Sequence, residues 1–336
     1  MIQYYYRLGF EAARKLKQFS HTHGHSFRMT LAQQKTEASE TLHWKALGET
    51  LHPLQAILDY SLLNESTGLD NPTDSSLVHW IRDNLATPCT QVRLIGTPKT
   101  EYILDAQGMH GCVETILHSS HFLPNVPPGH KCGRLHGHNF GVKLQWRGNT
   151  SVAEIQIVSE PVLEKLNQTL LNQIPGLENP TSENLSFWLW NTLHPLIPCL
   201  EEVTVFETQT AGSTYSGNGV WECFKSFSMD SAVPWNGSYQ GFTYGITLRI
   251  SGTLNPALGW IRDFGEIKDV FAPVFFLLDH RALDGVDGLV SSDLADIGTW
   301  LVEKLRHDLP EISGVDLWNT ESTGMSLRVM NKQKGA

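Results

Sequence analysis

The segment Gly68–Ile81 reads GLDNPTDSSLVHWI, and Gly176–Leu189 reads GLENPTSENLSFWL, which is nearly the same sequence 108 residues later. The tryptophans keep the same spacing, because Trp80, Trp188 and Trp300 lie 108 and 112 residues apart. Such self-similarity at a fixed period is typical of a chain built from repeated structural units. The pattern therefore predicts three copies of one unit.

Two further landmarks recur in the same register. A leucine-rich helical turn appears three times, and a short alternating segment follows each occurrence at a similar distance. Four landmarks in step indicate a common origin for copies at residues 1–105, 106–218 and 219–336. The turns are LDYSLLN with Asp59, LNQTLLN with Asn167 and LDHRALD with Asp279, and the strands VRLIGT, VTVFET and VDLWNT begin at Val92, Val203 and Val315.

Each copy has the pattern of two strands, two helices and two further strands. In copy two, alternation predicts strands over Val113–Leu117, Phe140–Trp146 and Val203–Thr208. Helices are expected over Pro161–Asn172 and Ser182–Leu193, the second with Thr181 or Ser182 as N-cap. The fold class is therefore α+β. Three ββααββ-type units would form a pseudo-trimeric antiparallel barrel of roughly twelve strands with the helices outside.

Composition narrows the class of protein. The chain has 336 residues, of which 40% are hydrophobic, and a formal net charge of −10. This balance argues against a binder of nucleic acid or of an anionic membrane, both of which need a basic face. The start of the chain lacks the pattern of a signal peptide, and the five cysteines form no CxxC motif. We expect a cytoplasmic globular protein.

The stretch Ser119–Phe140 (SSHFLPNVPPGHKCGRLHGHNF) carries a metal-binding pattern. His136 and His138 are two residues apart on a predicted strand, so both imidazoles face one side. His121, at the end of the preceding strand, offers a third nitrogen. Three imidazoles without a fourth protein ligand are the donor set of a catalytic zinc. His118 and His130 are rivals for the third position, and the alternation of a strand makes His118 a bystander.

Cys132 precedes this pair by four residues. One interpretation is a small buried thiol, the usual state of a free cysteine. The other is a reactive thiolate, because the flanking His130, Lys131 and Arg134 form a cationic loop that would lower the thiol pKa. The two interpretations stay open at this point.

The histidine on a first strand, the CxxxHGH spacing, the PTSEN segment and VTVFET together resemble the 6-pyruvoyl- and 6-carboxy-tetrahydropterin synthase family, most closely the 6-carboxy branch. The resemblance implies the tunnelling fold, with active sites between subunits of a trimer that stacks into a hexamer. It also implies zinc on His121, His136 and His138, Cys132 as the proton-abstracting base, Glu207 as the carboxylate that binds the pterin ring, and Thr181 and Glu183 in the same pocket.

The family's Asp-His pair is absent from copy two, where Asn167 and Gln168 stand, and present in copy three as Asp279 and His280. The metal pattern shows the converse. Copy three reads Gln240-Gly241-Phe242 at the HGH position, and copy one keeps His23 and His25 but has Arg14, Phe19 and Gly96 at the positions of His121, Cys132 and Glu207. We therefore expect one composite site, with Asp279 and His280 reaching over from copy three, and about one zinc ion per chain.

The resemblance implies a zinc-dependent lyase that converts 7,8-dihydroneopterin triphosphate to 6-carboxy-5,6,7,8-tetrahydropterin, a precursor of 7-deazaguanines such as queuosine. Lys131 and Arg134 are candidates for contacts with the triphosphate. The alternatives are a 6-pyruvoyl synthase, another pterin side-chain lyase, or a non-catalytic pterin- or purine-binding descendant. The family hexamer implies a homodimer of two stacked pseudo-trimers, with a phosphorylated pterin as the small-molecule partner.

Overall fold

The computed structural model describes residues 1–35, 43–319 and 322–329. The same order of elements occurs three times along the chain: two long strands, a helix, a short connection, another helix and two strands. In copy one the elements are β1 (Ile2–Arg14), β2 (His23–Gln34), α1 (His43–Leu58), β3 (Ser61–Leu62), α2 (Leu63–Ser66), α3 (Asp74–Asp83), β4 (Gln91–Ile95) and β5 (Thr100–Asp105).

Copies two and three follow this order, with single 3₁₀ turns in the connections. Copy two contains β6 (Gly108–His121), β7 (His136–Arg147), α4 (Val152–Leu166), α5 (Ser182–Leu193), β8 (Leu200–Thr208) and β9 (Ala211–Tyr215). Copy three contains β10 (Trp221–Trp235), β11 (Ser238–Gly252), α6 (Phe264–Leu278), β12 (Arg281–Ala282), α7 (Leu294–Leu305), β13 (Ile312–Trp318) and β14 (Thr323–Arg328).

The chain forms two compact units. The first consists mainly of Met1–Val113 and Trp146–Val152, and the second mainly of Glu114–Gln145 and Ala153–Thr320. In the first unit β1 pairs antiparallel with β2, β2 with β4 and β4 with β5, and α1 and α3 pack on these strands. In the second unit the strand order is β7-β8-β9-β10-β11-β13, with α5, α6 and α7 packed on the sheet. The predicted α+β architecture is confirmed within each unit, and the closed barrel stays a prediction.

Strand β7 shows how the sequence separates core from site. From Phe140 onward the side chains alternate between buried and half-exposed, and Phe140, Val142 and Leu144 are at most 1% exposed. Burying these side chains stabilises the sheet by about 2 kcal/mol each. The first residues of the strand, His136 to Asn139, precede this buried run and are half-buried or exposed. The polar end of an apolar strand is thus where the histidines lie.

The helix predicted over Pro161–Asn172 is wrong in its bounds. Helix α4 spans Val152–Leu166 and contains Pro161 in its interior instead of at its first turn. Proline lacks the N–H that would donate to the carbonyl four residues earlier, so it usually marks a helix start. Here the helix continues through the proline because Ile155, Val162 and Leu163 are all buried along its length.

The second predicted helix has the expected bounds and cap. Helix α5 covers Ser182–Leu193, and the side chain of Thr181 accepts a hydrogen bond from the backbone N–H of Asn184 at 3.1 Å. Thr73 caps α3 in the same way in copy one. Within the described ranges, no helix combines the length and apolar character needed to cross a bilayer.

Candidate metal centre and adjoining cavity

Three imidazoles meet where β6 ends and β7 begins. His121 is the last residue of β6, and His136 and His138 are the first and third residues of β7. Their ligating nitrogens lie within 4.8 Å of one another, with 3.2 Å between the Nε2 atoms of His121 and His136. His118 lies outside this cluster, where its ring contacts Asn139. The structure thus brings together the three histidines chosen from the sequence.

Hydrogen bonds fix the orientation of two of these rings. Nδ1 of His121 lies 2.9 Å from the carbonyl oxygen of Pro180, and Nδ1 of His136 lies 2.7 Å from that of Arg134. Because a carbonyl only accepts, each Nδ1 carries the proton and each Nε2 keeps its lone pair. Nε2 of His138 is buried and has no hydrogen-bond partner among the described residues. The lone pairs therefore converge on a space that suits a cation.

Two of the rings, those of His121 and His138, are also held in the neutral form that binds metals. Burial lowers the pKa of His121 to about 4, although the Pro180 carbonyl opposes the shift. Burial also lowers the pKa of His138, and the neighbouring His136 acts in the same direction. Three imidazoles, with no fourth protein ligand in the described cluster, fit a zinc ion with an open position.

A cavity of about 520 Å³ adjoins the histidines. Its wall comes from residues of copies two and three, all of which lie in the second compact unit. The polar lining of copy two includes His136, His138, Lys131, Cys132, Arg134, Thr181, Glu183 and Glu207, and copy three contributes Lys225, Trp260, Arg262, Asp263, Phe264 and Gly265.

Glu207 is the carboxylate of this cavity nearest to the histidines. Its Oε1 lies 3.7 Å from Nε2 of His138, and the side chain is 16% exposed. Burial raises the pKa of Glu207 to about 7, and the charges of Glu183 and Asp263 act in the same direction. The cavity therefore contains a carboxyl group that titrates near neutral pH and gains from any N–H donor placed against it.

Of the two interpretations of Cys132, its surroundings in the fold favour the neutral thiol over the thiolate. Burial raises the pKa of Cys132, and the carboxylates of Glu207 and Asp263 raise it further, whereas Lys131 alone lowers it. The sequence showed the cations beside Cys132 in the loop, but not the two carboxylates that folding brings to it. With its pKa raised, the group is a neutral thiol at pH 7.

Thr181 lines the cavity, but its hydroxyl already has partners. It donates to the carbonyl oxygen of Gly259 at 2.7 Å and accepts the capping bond from Asn184. Asn179 donates in parallel to the carbonyl of Leu258 at 2.8 Å. The NPT segment of copy two thus holds a turn of copy three in place. The sequence did not indicate this role.

The buried side chain of Glu183 also holds the segment of copy three that follows this turn. Its carboxylate accepts hydrogen bonds from the Ser182 hydroxyl at 3.1 Å, from the Cys223 thiol at 3.2 Å and from the backbone of Ile261. Burial raises the pKa of Glu183. The group therefore fixes the position of the chain between Trp260 and Arg262, which forms the opposite wall of the cavity.

Sequence reasoning missed the wall residues of copy three. Trp260, Arg262 and Asp263 precede α6, where Asp263 accepts the capping bond from Gly265 at 2.6 Å. Asp263 also lies 3.6 Å from Nε2 of His130, so it joins the cysteine loop of copy two to copy three. The aspartate before a helix was a visible capping signal, but its place beside the cavity follows only from the fold.

Asp279 and His280 do not line this cavity. They follow the C-terminus of α6, a helix of 15 residues whose first turn forms the cavity wall, so the pair lies about 22 Å away along that helix. Copy three instead completes the pocket of its own chain with Lys225 and with residues before and within the first turn of α6. The pair remains intact: Nδ1 of His280 lies 2.8 Å from Asp279, which also accepts from the backbone of Asp230 at 3.0 Å.

The side chain of His280 lies exposed at the surface. Its side chain is 76% exposed, its φ angle is 55°, and the hydrogen bond that its ring donates to Asp279 raises its pKa. Tyr60 and Gln168, at the corresponding positions of copies one and two, have φ angles of 50° and 55°, so this left-handed backbone belongs to the repeated turn. The catalytic role assigned to this pair stays a prediction.

The fold and the site together define a three-copy protein whose second copy carries a cluster of three histidines that could hold a metal ion. The family model described as 6-pyruvoyl tetrahydropterin synthase matches the chain over residues 4–105, 112–218 and 237–329. The chain therefore belongs to the 6-pyruvoyl tetrahydropterin synthase family and contains three tandem copies of its domain. The three matches agree with the copies proposed from the repeated landmarks.

Individual relatives resemble the chain over about one copy each. It is 37% identical over 90 residues to the putative 6-carboxy-5,6,7,8-tetrahydropterin synthase of Archaeoglobus fulgidus, covering 24% of this chain and 72% of the relative. It is 31% identical over 116 residues to the 6-carboxy-5,6,7,8-tetrahydropterin synthase of Synechocystis, covering 30% and 88%. It is 33% identical over 100 residues to the 6-pyruvoyl tetrahydrobiopterin synthase of Dictyostelium discoideum, covering 26% and 74%.

Proposed function

We propose that this chain is a zinc-dependent lyase that converts 7,8-dihydroneopterin triphosphate to 6-carboxy-5,6,7,8-tetrahydropterin. This product is a precursor of 7-deazaguanines such as queuosine. The observation that carries the proposal is that three converging imidazoles, a thiol and a carboxyl of near-neutral pKa adjoin one cavity. Two relatives bear the name of this synthase. The cavity volume of about 520 Å³ lies within the range of small-molecule sites.

His121, His136 and His138 would hold the zinc ion. When bound, zinc supplies a Lewis acid toward the hydroxyl groups of the pterin side chain. The hydrogen bonds from Nδ1 to the carbonyls of Pro180 and Arg134 keep two of the rings aimed at this position before any ion arrives.

Glu207 is the residue that would bind the pterin ring. The N–H groups of the ring edge would donate to its carboxylate, and this would lower its pKa again from about 7. Because a charged carboxylate bonds to such donors about twice as strongly as a neutral one, binding and ionisation of Glu207 support each other.

The triphosphate requires cations at the cavity wall. Lys131 and Arg134 of copy two line it, as does Lys225 of copy three. Burial lowers the pKa of Lys225, and the nearby charges of Lys131 and Lys268 act in the same direction. These positive groups repel one another in the free protein, and a bound polyanion would offset that repulsion.

Cys132 would remove a proton from the pterin side chain. The thiol is protonated at neutral pH because its pKa is raised, so catalysis by the thiolate would increase as the pH rises above neutral. Lys131, the neighbouring group that lowers the pKa, favours the thiolate.

Asp279 and His280 would act on the cavity of a second chain. They do not line the cavity of their own chain, and His280 is the exposed member of a pair that Asp279 orients. Two chains stacked face to face would present His280 to the partner's cavity, where it would transfer a proton on the side opposite to Cys132. The proposed functional unit is therefore a homodimer of pseudo-trimers.

Product analysis with 7,8-dihydroneopterin triphosphate tests this proposal. We expect 6-carboxy-tetrahydropterin, and we expect Cys132→Ala and His280→Ala to lower kcat by a factor of about 10² to 10⁴. His118→Ala is the matched control, because His118 is exposed and lies outside the metal cluster. Wild-type turnover in both catalytic variants would reject the assignment.

A second candidate is a non-catalytic pterin- or purine-binding protein. It is favoured by the raised pKa of Cys132 and by the distance of His280 from the cavity of its own chain. In that case the chain would bind the pterin without converting it, and it would retain binding after Cys132→Ala. Formation of the 6-pyruvoyl product would instead identify the activity named for the Dictyostelium relative.

A further inference from the structure

Copy one keeps the backbone geometry of the metal centre. Strand β1 ends at Arg14, which pairs with His23 at the start of β2, and His25 follows on the same face. The ring centroids of His23 and His25 lie 5.1 Å apart, compared with 5.0 Å for the corresponding pair in copy two. Two of three metal-binding side chains are thus in position, and Arg14 stands where the third would be.

Arg14 makes the contacts that His121 makes in copy two. Its Nη1 donates to the carbonyl oxygen of Pro72 at 3.1 Å, and Nδ1 of His121 lies 2.9 Å from the carbonyl of Pro180 in the same motif. The guanidinium carbon lies 5.2 Å from the ring centroid of Phe27, as the ring of His121 lies 5.3 Å from that of Phe140. The guanidinium therefore occupies the space of the imidazole.

A buried carboxylate balances this charge. Arg14 forms an ion pair with Asp74, and their side chains are 3% and 6% exposed. Asp74 also accepts from the backbone N–H of Thr97 at 3.0 Å. In copy two the corresponding residue is Ser182, which is neutral. Copy one thus has aspartate where copy two has serine, and arginine where copy two has histidine, and the two changes go together.

The position that matches Glu207 has also changed to fit the pair. It is Gly96, and a Cβ atom there would overlap Oδ1 of Asp74 and the ring of Phe27. A glutamate side chain therefore has no space beside the ion pair. Arginine keeps its proton at any physiological pH, so the positive charge of this centre is permanent.

We infer that in copy one the guanidinium of Arg14 replaces both the metal ion and its third ligand, so that this copy has a metal-free centre from which a three-histidine metal site is two substitutions away. A divalent cation at His23 and His25 would meet a fixed positive charge in a space that is already filled. The Arg14–Asp74 pair holds the two strands and the NPT segment together, as the metal centre does in copy two.

The first test compares the wild type with a variant that lacks both histidines of copy one. We expect the metal content per chain, measured by mass spectrometry after dialysis against zinc, to be the same in His23→Ala/His25→Ala as in the wild type. The two side chains are half-buried, so the variant should fold. A loss of bound metal in this variant would overturn the inference, because it would show that these histidines hold an ion in spite of Arg14.

The second test restores the site. In Arg14→His/Asp74→Ser we expect about one further equivalent of zinc relative to the wild type, and a cobalt spectrum typical of tetrahedral coordination. The gain is counted relative to the parent, so it does not depend on the occupancy of copy two. His136→Ala in the same background removes the other centre and isolates the new one. A folded double variant without extra metal contradicts the inference, and if it does not fold, the His23→Ala/His25→Ala result decides.

Discussion

Nε2 of His121 lies 3.2 Å from Nε2 of His136, while Nδ1 of each ring faces a backbone carbonyl. Two nitrogens at this distance both present lone pairs, and they repel each other unless a cation or a proton lies between them. Burial lowers the pKa of His121 to about 4 and so disfavours the proton at neutral pH. The pair is therefore arranged for a metal ion.

Removal of one ligand should abolish metal binding. For His136→Ala we expect bound zinc to fall from about one equivalent to near zero, because two imidazoles without a third bind zinc weakly. Metal analysis measures the content, and thermal unfolding with and without a chelator measures the linked stability. His118→Ala should behave as the wild type in both measurements. Full metal content in His136→Ala would contradict the assigned centre.

Glu207 should make the metal-free protein less stable as the pH rises. Its pKa is raised from 4.5 to about 7, so the folded state holds its proton more tightly than the unfolded state, and stability decreases between pH 4.5 and pH 7. For Glu207→Gln we expect a gain in the free energy of unfolding of at most about 3 kcal/mol at pH 8, and little change near pH 4.5.

Urea unfolding in the presence of a chelator, at pH 5 and pH 8, measures this difference. The depressed pKa of His121 acts in the opposite direction, but it does so in both proteins and largely cancels. Glu164→Gln, at an exposed position of α4, is the matched control. An equal gain at both pH values would show that the effect of Glu207→Gln is not electrostatic.

Breaking the ion pair of copy one should be costly. Arg14→Ala leaves Asp74 buried without its cation, and such a loss destabilises a protein by about 3–5 kcal/mol. Lys45→Ala is the control, because Lys45 and Glu49 are 71% and 68% exposed, and we expect a change below about 0.5 kcal/mol. Chemical denaturation compares the two. Similar small losses in both variants would rule out a structural role for the buried pair.

The proposed dimer makes its own prediction. Chains with Cys132→Ala and chains with His280→Ala should each be inactive alone, because every site lacks one residue. After mixing and exchange, the mixed dimer contains one intact site, so activity should return to about a quarter of the wild-type value per chain. Two copies of the same variant mixed together provide the blank. If activity stays absent although native mass spectrometry detects mixed dimers, His280 does not act across chains.

Much of the architecture could be predicted because it repeats. The NPT segments, the tryptophans and the leucine-rich turns predicted three copies, and the family model matches the chain in three ranges. Period-two alternation located β7, and a capping threonine located the start of α5. The bounds of α4 were wrong because tertiary burial carried that helix through Pro161, and no local signal reports such an effect.

The sequence by itself determined the repeat, the strands and the three histidines, since these depend on spacing along one or two adjacent strands. Only the tertiary structure decided what surrounds them: the carboxylates that raise the pKa of Cys132, the wall from Trp260 to Asp263, and the place of His280 outside the cavity. The physical reason is the separation along the chain of the residues involved. Periodicity records which face a side chain takes within its own element, whereas pKa values and cavity walls depend on charges and surfaces from residues far apart in the chain.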